Sequence, residues 1–133
     1  MTAKTIILLA TILGGSGVAI GAFAAHYLDK LLAGQEMSAT DLQKRKEWME
    51  VGTKYQMYHA AALLGVAALV RAGAIANATG PAIAFFFGAV IFSGCLHTMA
   101  VTGIKPLGAV VPIGGLMFIV GWIWLAIAAM KTQ

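Results

Sequence analysis

The side chains in this sequence whose types and spacing could do chemistry are three histidines, two tyrosines and a glutamine. They are His26 in GAFAAHYL, Tyr55, Gln56, Tyr58 and His59 in YQMYHAAALL, and His97 in FSGCLHTMA. Three imidazoles on facing helices could hold zinc or copper, and two could hold a haem. One imidazole beside a tyrosine and a glutamine could relay protons or bind a quinone or a lipid headgroup. The plainest use is a neutral histidine hydrogen-bonded to tyrosine or glutamine, locking one helix to the next, and this structural role carries the most weight. On a helical wheel of about 100° per residue, Tyr55, Gln56 and His59 share one face with Tyr58 beside it, while Met57 points away.

What must position these groups follows from composition. The chain has 133 residues, of which 60% are hydrophobic and 11% charged, against about 45 to 50% and about 25% in an ordinary globular domain. That is the composition of a membrane protein. A helix crosses the hydrocarbon core in about 20 mostly apolar residues, and four stretches qualify, at about 5–28, 55–76, 81–103 and 107–130. The expected fold is an all-α integral membrane four-helix bundle, one domain over residues 1–133, with a partly helical loop between the first and second spans. A basic start at Lys4 and a small-residue site at residues 22–24 resemble a secretory signal. The apolar run is too long for one, however, and is interrupted by Gly14-Gly15-Ser16-Gly17, so it is read as a span.

Residues 29–54 carry Lys30, Lys44, Arg45, Lys46 and Lys54, and Lys105 falls on the same side, against Lys4, Arg71 and Lys131 on the other. Basic residues favour cytoplasmic loops, which puts the long loop in the cytoplasm and both termini outside. Within that loop, Ser38, Thr40 or Asp41 is a candidate N-cap, and helix is expected from about Asp41. It either lies at the interface, with Trp48 at headgroup level, or runs straight into the second span. Alternating directions bring His26, His59 and His97 near the loop-side face. His26 and His59 are therefore expected at similar depth, each facing the other's neighbourhood. Gly14, Gly17 and Gly21 in the first span and Gly65 in the second have helix-packing spacing. Pro112 calls for a kink or a late helix start.

The net charge of +4 is too sparse for a nucleic-acid face. No expected span contains Asp or Glu, so the buried carboxylates of proton-coupled pumps and multidrug exporters are missing. Phosphate loops, metalloprotease motifs and hydrolase elbows are also missing, and an enzyme is not expected. Cys95 is the single cysteine and is read as core.

The blocks GAFAAHYL, YQMYHAAALL and FSGCLHTMAVTGIKPLGAVVPIGGLMFIVGW resemble the three signatures of the domain-of-unknown-function 423 family, whose members include animal transmembrane protein 256. The resemblance covers nearly the whole chain except the middle of the long loop. It implies a small four-span protein, resident in bacteria in the cell membrane, with no settled biochemical activity. Family members usually resemble GAFGAH, SGSLY and TPIGG, where this chain has Ala24, Cys95 with His97, and Val111. Because His97 stands where a tyrosine is usual, a three-histidine metal site is not implied. His26, Tyr55, Gln56, Tyr58 and His59 match the pattern and form the candidate polar pocket, with no metal or other cofactor assigned. Two functions follow. The first is a non-enzymatic membrane protein that supports membrane organisation or serves as accessory subunit of a larger complex, its partners being lipids and a membrane protein or a second copy. The second is a small carrier or ligand-binding protein using that pocket.

Overall fold

The computed structural model describes residues 1–131. It contains four α-helices, α1 (Ala3–Ala33), α2 (Ala39–Arg71), α3 (Thr79–Thr102) and α4 (Val111–Met130), with a 3-10 turn at Lys105–Ala109 ahead of α4. Among the described residues, three helical segments are long and apolar enough to cross a membrane: α1, α3, and the stretch Lys105–Met130.

The loop expected between the first two spans is mostly helix. Ser38 caps α2 by accepting a hydrogen bond from the Asp41 backbone N–H, and the helix then runs without a break into the apolar half. Only residues 34–38 connect α1 to α2.

Continuity changes what lies at each depth. Gly14 faces Ala60, Gly17 faces Met57 and Gly21 faces Thr53, so every step along α1 is matched by a step back along α2. That register sets Leu28 opposite Lys46 and Thr5 opposite Leu69. The part of α2 level with the apolar run of α1 thus begins near Lys46 and not at Tyr55, and it takes in Glu50 and Lys54. Glu50 and Lys54 therefore lie level with the apolar run of α1, and among the described residues α2 is not one of the segments apolar enough to cross by composition alone.

Sequence neighbours are spatial neighbours: α1 packs on α2, α2 on α3 and α3 on α4, with a smaller α1–α3 contact. Among the described residues, neither α1 nor α2 makes a close backbone approach to α4, which packs on α3 and reaches α2 through side chains such as Phe118 on His59. One apolar core joins Ile6 and Leu13 of α1, Leu63 and Val66 of α2, and Phe85 of α3. A second, at the loop side, joins Leu28, Leu32, Met49 and Ala100, with Trp48 half-buried against it.

Glycines set the close approaches. Gly17 is buried, and a Cβ there would lie 2.7 Å from the Met57 sulfur. The tightest crossing, between α3 and α4, uses Gly88 and Gly114, which sequence spacing did not single out. Pro112 lies in the first turn of α4, where its missing N–H removes no helical hydrogen bond; it starts the helix late and does not kink it. The connections are tight as expected, with Gly73 and Gly103 in the left-handed region at φ 70° and 76°.

Gly65 corrects the packing expectation for α2. It is exposed, nothing lies within 4 Å of a Cβ built there, and Ala61, Ala68 and Ala72 are exposed as well. Gly65→Ala is therefore expected to raise stability by about 0.5 to 1 kcal/mol through backbone entropy alone, read as a higher melting temperature in detergent. A fall would mean that this stripe packs against something in the folded molecule.

Candidate functional site

The candidate pocket divides into three separate environments. His26 is exposed near the loop-side end of α1, where Phe23 and Tyr27 stack with ring centroids 6.2 Å apart and Lys30 lies over the Tyr27 ring. This aromatic and basic stripe suits a membrane–water interface. By the α1/α2 register His26 is level with Trp48, whereas His59 is level with Gly15. Eleven residues of helix separate those levels, about 16 Å. The expected pairing of His26 with His59 is overturned, because α2 starts sixteen residues before Tyr55 and His59 lies much deeper than the start of a span.

Gln56 turns towards α1. It is 5% exposed, and its Nε2 donates to the Leu13 carbonyl at 2.9 Å and to the Ser16 hydroxyl at 2.8 Å. Ser16 in turn donates to the Ile12 carbonyl. A side-chain amide on one helix is thereby tied to the backbone of the next, beside the Gly17 contact that lets the helices come close enough.

His59 turns the other way. It is 5% exposed and lies flat on Phe118 of α4, with centroids 3.5 Å apart and planes 7° from parallel. Phe85 stands 5.3 Å away. His59 Nδ1 is 2.9 Å from the Tyr55 carbonyl, and since a carbonyl only accepts, Nδ1 carries the hydrogen and Nε2 presents a lone pair. That Nε2 and Ser93 Oγ on α3 are buried and, among the described residues, have no hydrogen-bond partner. Tyr55 is half in this environment, 5.0 Å from Phe92 and 6.2 Å from Phe118 by ring centroid. Tyr58 is exposed.

His97 makes a third, independent contact. Its ring occupies the space that a Cβ at Gly52 would need, with ring atoms 2.8 Å from that position, and its Nε2 lies 3.2 Å from Thr53 Oγ. Among the described residues, no group of three or more His, Cys, Asp or Glu side chains is placed to hold a metal ion. Gln56 was legible as an inward polar residue. Ser16, Thr53 and Ser93 were not singled out; a lone hydroxyl in an apolar helix is the signal for Ser16 and Ser93, whereas Thr53 stands beside Lys54 and near Glu50 in a polar stretch that carries no such signal.

The loop-side ends of the helices are joined by charge. Arg45 donates to Gln35 Oε1 at 2.8 Å and to the Val101 carbonyl at 3.3 Å, a cation at the carbonyl end of α3 where the helix dipole favours it. Lys105 pairs with Asp41 at 3.5 Å and Lys46 with Asp29 at 2.7 Å. The Ser38 hydroxyl and the Lys105 ammonium hold the Asp41 carboxyl below the usual carboxylate range. A carboxyl depressed on folding contributes stability above its unfolded pKa and loses it as pH falls through the folded value. Backbone amides of the first turn of α2 are thus expected to exchange faster with deuterium in that acid range, and Asp41→Asn is expected to remove the pH dependence. The same acid response in the variant would assign it to another group.

Comparison with known proteins agrees with the three blocks. The chain is 40% identical to the UPF0382 membrane protein of Staphylococcus epidermidis (strain ATCC 12228 / FDA PCI 1200) over 128 residues, 96% of this chain and 97% of the relative. It is 38% identical to UPF0382 membrane protein SSP2132 of Staphylococcus saprophyticus, over 96% of this chain and 98% of the relative. It is also 30% identical to the UPF0382 inner membrane protein YgdD of Escherichia coli (strain K12), over 100% of this chain and 95% of the relative. No solved structure matches. The family model "Protein of unknown function (DUF423)" matches residues 20–115, a range that runs from the loop-side half of α1 to the first turn of α4, and so the chain belongs to the DUF423 family and is a protein of the cell membrane.

Proposed function

We propose that this protein is a non-enzymatic, single-domain, four-span membrane protein that works by packing, either organising the lipid around it or serving as accessory subunit of a larger membrane complex. The observation that carries this reading is the use made of its buried polar side chains. Gln56 is spent on the α1 backbone and His59 on an aromatic stack with Phe118. Large apolar side chains of α4, including Leu116, Ile119 and Ile123, point outward, and with the small exposed stripe of α2 they offer surface to lipid or to a partner helix. The basic loop side faces the cytoplasm in this reading, so cysteine placed at Gln35 should resist labelling from outside intact cells while cysteine at Lys4 reacts.

A second reading, a small ligand-binding or carrier protein, draws on the unpartnered His59 Nε2 and Ser93 Oγ. Native mass spectrometry of protein purified in mild detergent separates the two. The packing role predicts retained phospholipid or a protein partner. A metal, haem or small organic molecule at one per chain would move the assignment to the second reading.

A further inference from the structure

The face shared by α1 and α2 away from α3 is a continuous seam that changes character along its length. At its loop-side end a groove of about 560 Å³ carries four charges, Asp29, Lys46, Glu50 and Lys54, over the small α1 residues Gly21 and Ala25. Further down, the same helical faces form a groove of about 360 Å³ that is almost wholly apolar, floored by Ala10, Gly14, Gly15, Ala60 and Ala61 and flanked by Leu64. On α2 the residues 46, 50, 54, 57, 61 and 64 follow one another at helical spacing, so the two grooves are two parts of one surface.

The charges are balanced and paired. Lys46 lies 2.7 Å from Asp29, and Lys54 lies 3.3 Å from Glu50. Both pairs remain open to the outside, with the Lys54 and Glu50 side chains 45% and 70% exposed. By the register with α1, Glu50 lies about 6 Å and Lys54 about 12 Å below the level of Lys46, within the span. Charged side chains at that level need a polar partner. Each lysine ammonium has three donors and each carboxylate several acceptor sites, so neither ion pair exhausts its members.

We propose that this seam binds one phospholipid of the loop-side leaflet with a zwitterionic headgroup bearing a primary amine. The phosphate sits on Lys54, the ammonium on Glu50, and an acyl chain runs down over Gly14, Gly15 and Ala61. Reach supports it: Glu50 draws the Lys54 ammonium one turn towards the loop side, and the apolar groove below it continues to Leu64, about 15 Å along the helix, which gives room for an acyl chain. Charge selects the headgroup. An anionic headgroup without an amine would leave Asp29 and Glu50 facing a like charge, and a quaternary amine has no N–H to give them. The seam is separate from the His59 environment and does not depend on whether that histidine binds anything.

The test is competitive lipid retention. Delipidated protein in mild detergent is offered an equimolar mixture of phosphatidylethanolamine, phosphatidylcholine and phosphatidylglycerol of matched acyl chains, and the one-lipid adducts are read by native mass spectrometry. The ethanolamine adduct is expected to exceed each of the others by about three- to fivefold, the scale of one partly exposed charge contact. Glu50→Gln, a substitution at an exposed side chain, is expected to abolish the advantage over phosphatidylcholine and raise the phosphatidylglycerol adduct. Ala61→Leu is expected to lower all three adducts by filling the chain groove. Equal adducts in the wild type, or an unchanged preference in Glu50→Gln, would overturn the proposal. So would a dimer that depends on Glu50 and Lys54 and carries no lipid, which would make the seam a contact between copies.

Discussion

Gly114→Ala is expected to pull α4 away from α3. A Cβ at Gly114 would lie 2.5 Å from the backbone nitrogen of Phe92 and 2.8 Å from the carbonyl oxygen of Gly88. Those are backbone atoms of a continuous helix, so they cannot swing aside as a side-chain tip can. The helices must separate, and separation loosens the Phe118 contact with His59 and the seat of Phe85 against Gly121. Overpacking of this kind costs about 1 to 3 kcal/mol and more when the obstacle is rigid. Gly115→Ala is the matched control, because a Cβ there meets only the Phe92 ring at an ordinary 3.8 Å. Melting in detergent should therefore fall for the first variant and stay near wild type for the second. Equal behaviour of the two would refute the Gly88–Gly114 crossing.

His59→Ala is expected to lose stability and His59→Phe to keep or gain it. Alanine removes a ring that lies flat on Phe118 and leaves a hole among Phe85, Phe118 and Trp122, a loss of about 2 to 4 kcal/mol by comparison with other large-to-small core changes. Phenylalanine keeps the stack and removes the buried Nε2 that has no partner. Leaving such an atom unsatisfied costs about 1 to 3 kcal/mol, so His59→Phe should match or exceed the wild type in stability. The tautomer sharpens the contrast, since the Tyr55 carbonyl that receives Nδ1–H lies on the same helix and is not stranded when the imidazole goes. A stable His59→Phe protein that fails to support the function of the wild type in cells would assign the lone pair to a ligand. A destabilised one would show that Nε2 is satisfied in the membrane by something that holds the fold together.

The glycines and histidines show where sequence reading stops. Helix existence, the tight connections and a capped start of α2 at Ser38, Thr40 or Asp41 were legible, because apolar runs, turn residues and capping hydroxyls act over a few residues; the structure places the cap at Ser38. The inward direction of Gln56 was legible for the same reason, as a polar group flanked by apolar helix. Which helix it faces was not.

The sequence by itself determined that this chain is helical, that its helices belong in a membrane, and that it carries the blocks of its family, since all three follow from local composition and pattern. Only the tertiary structure decided the register of α1 against α2, and with it the depth of His26, His59, Glu50 and Lys54. Register is set by where Gly14, Gly17 and Gly21 let the two backbones meet, a property of two surfaces together. The hydropathy boundary at Tyr55 marks where α2 becomes apolar. The level at which the paired helix α1 turns polar, at Asp29, falls near Lys46 of α2, because antiparallel neighbours lie side by side and match residue for residue.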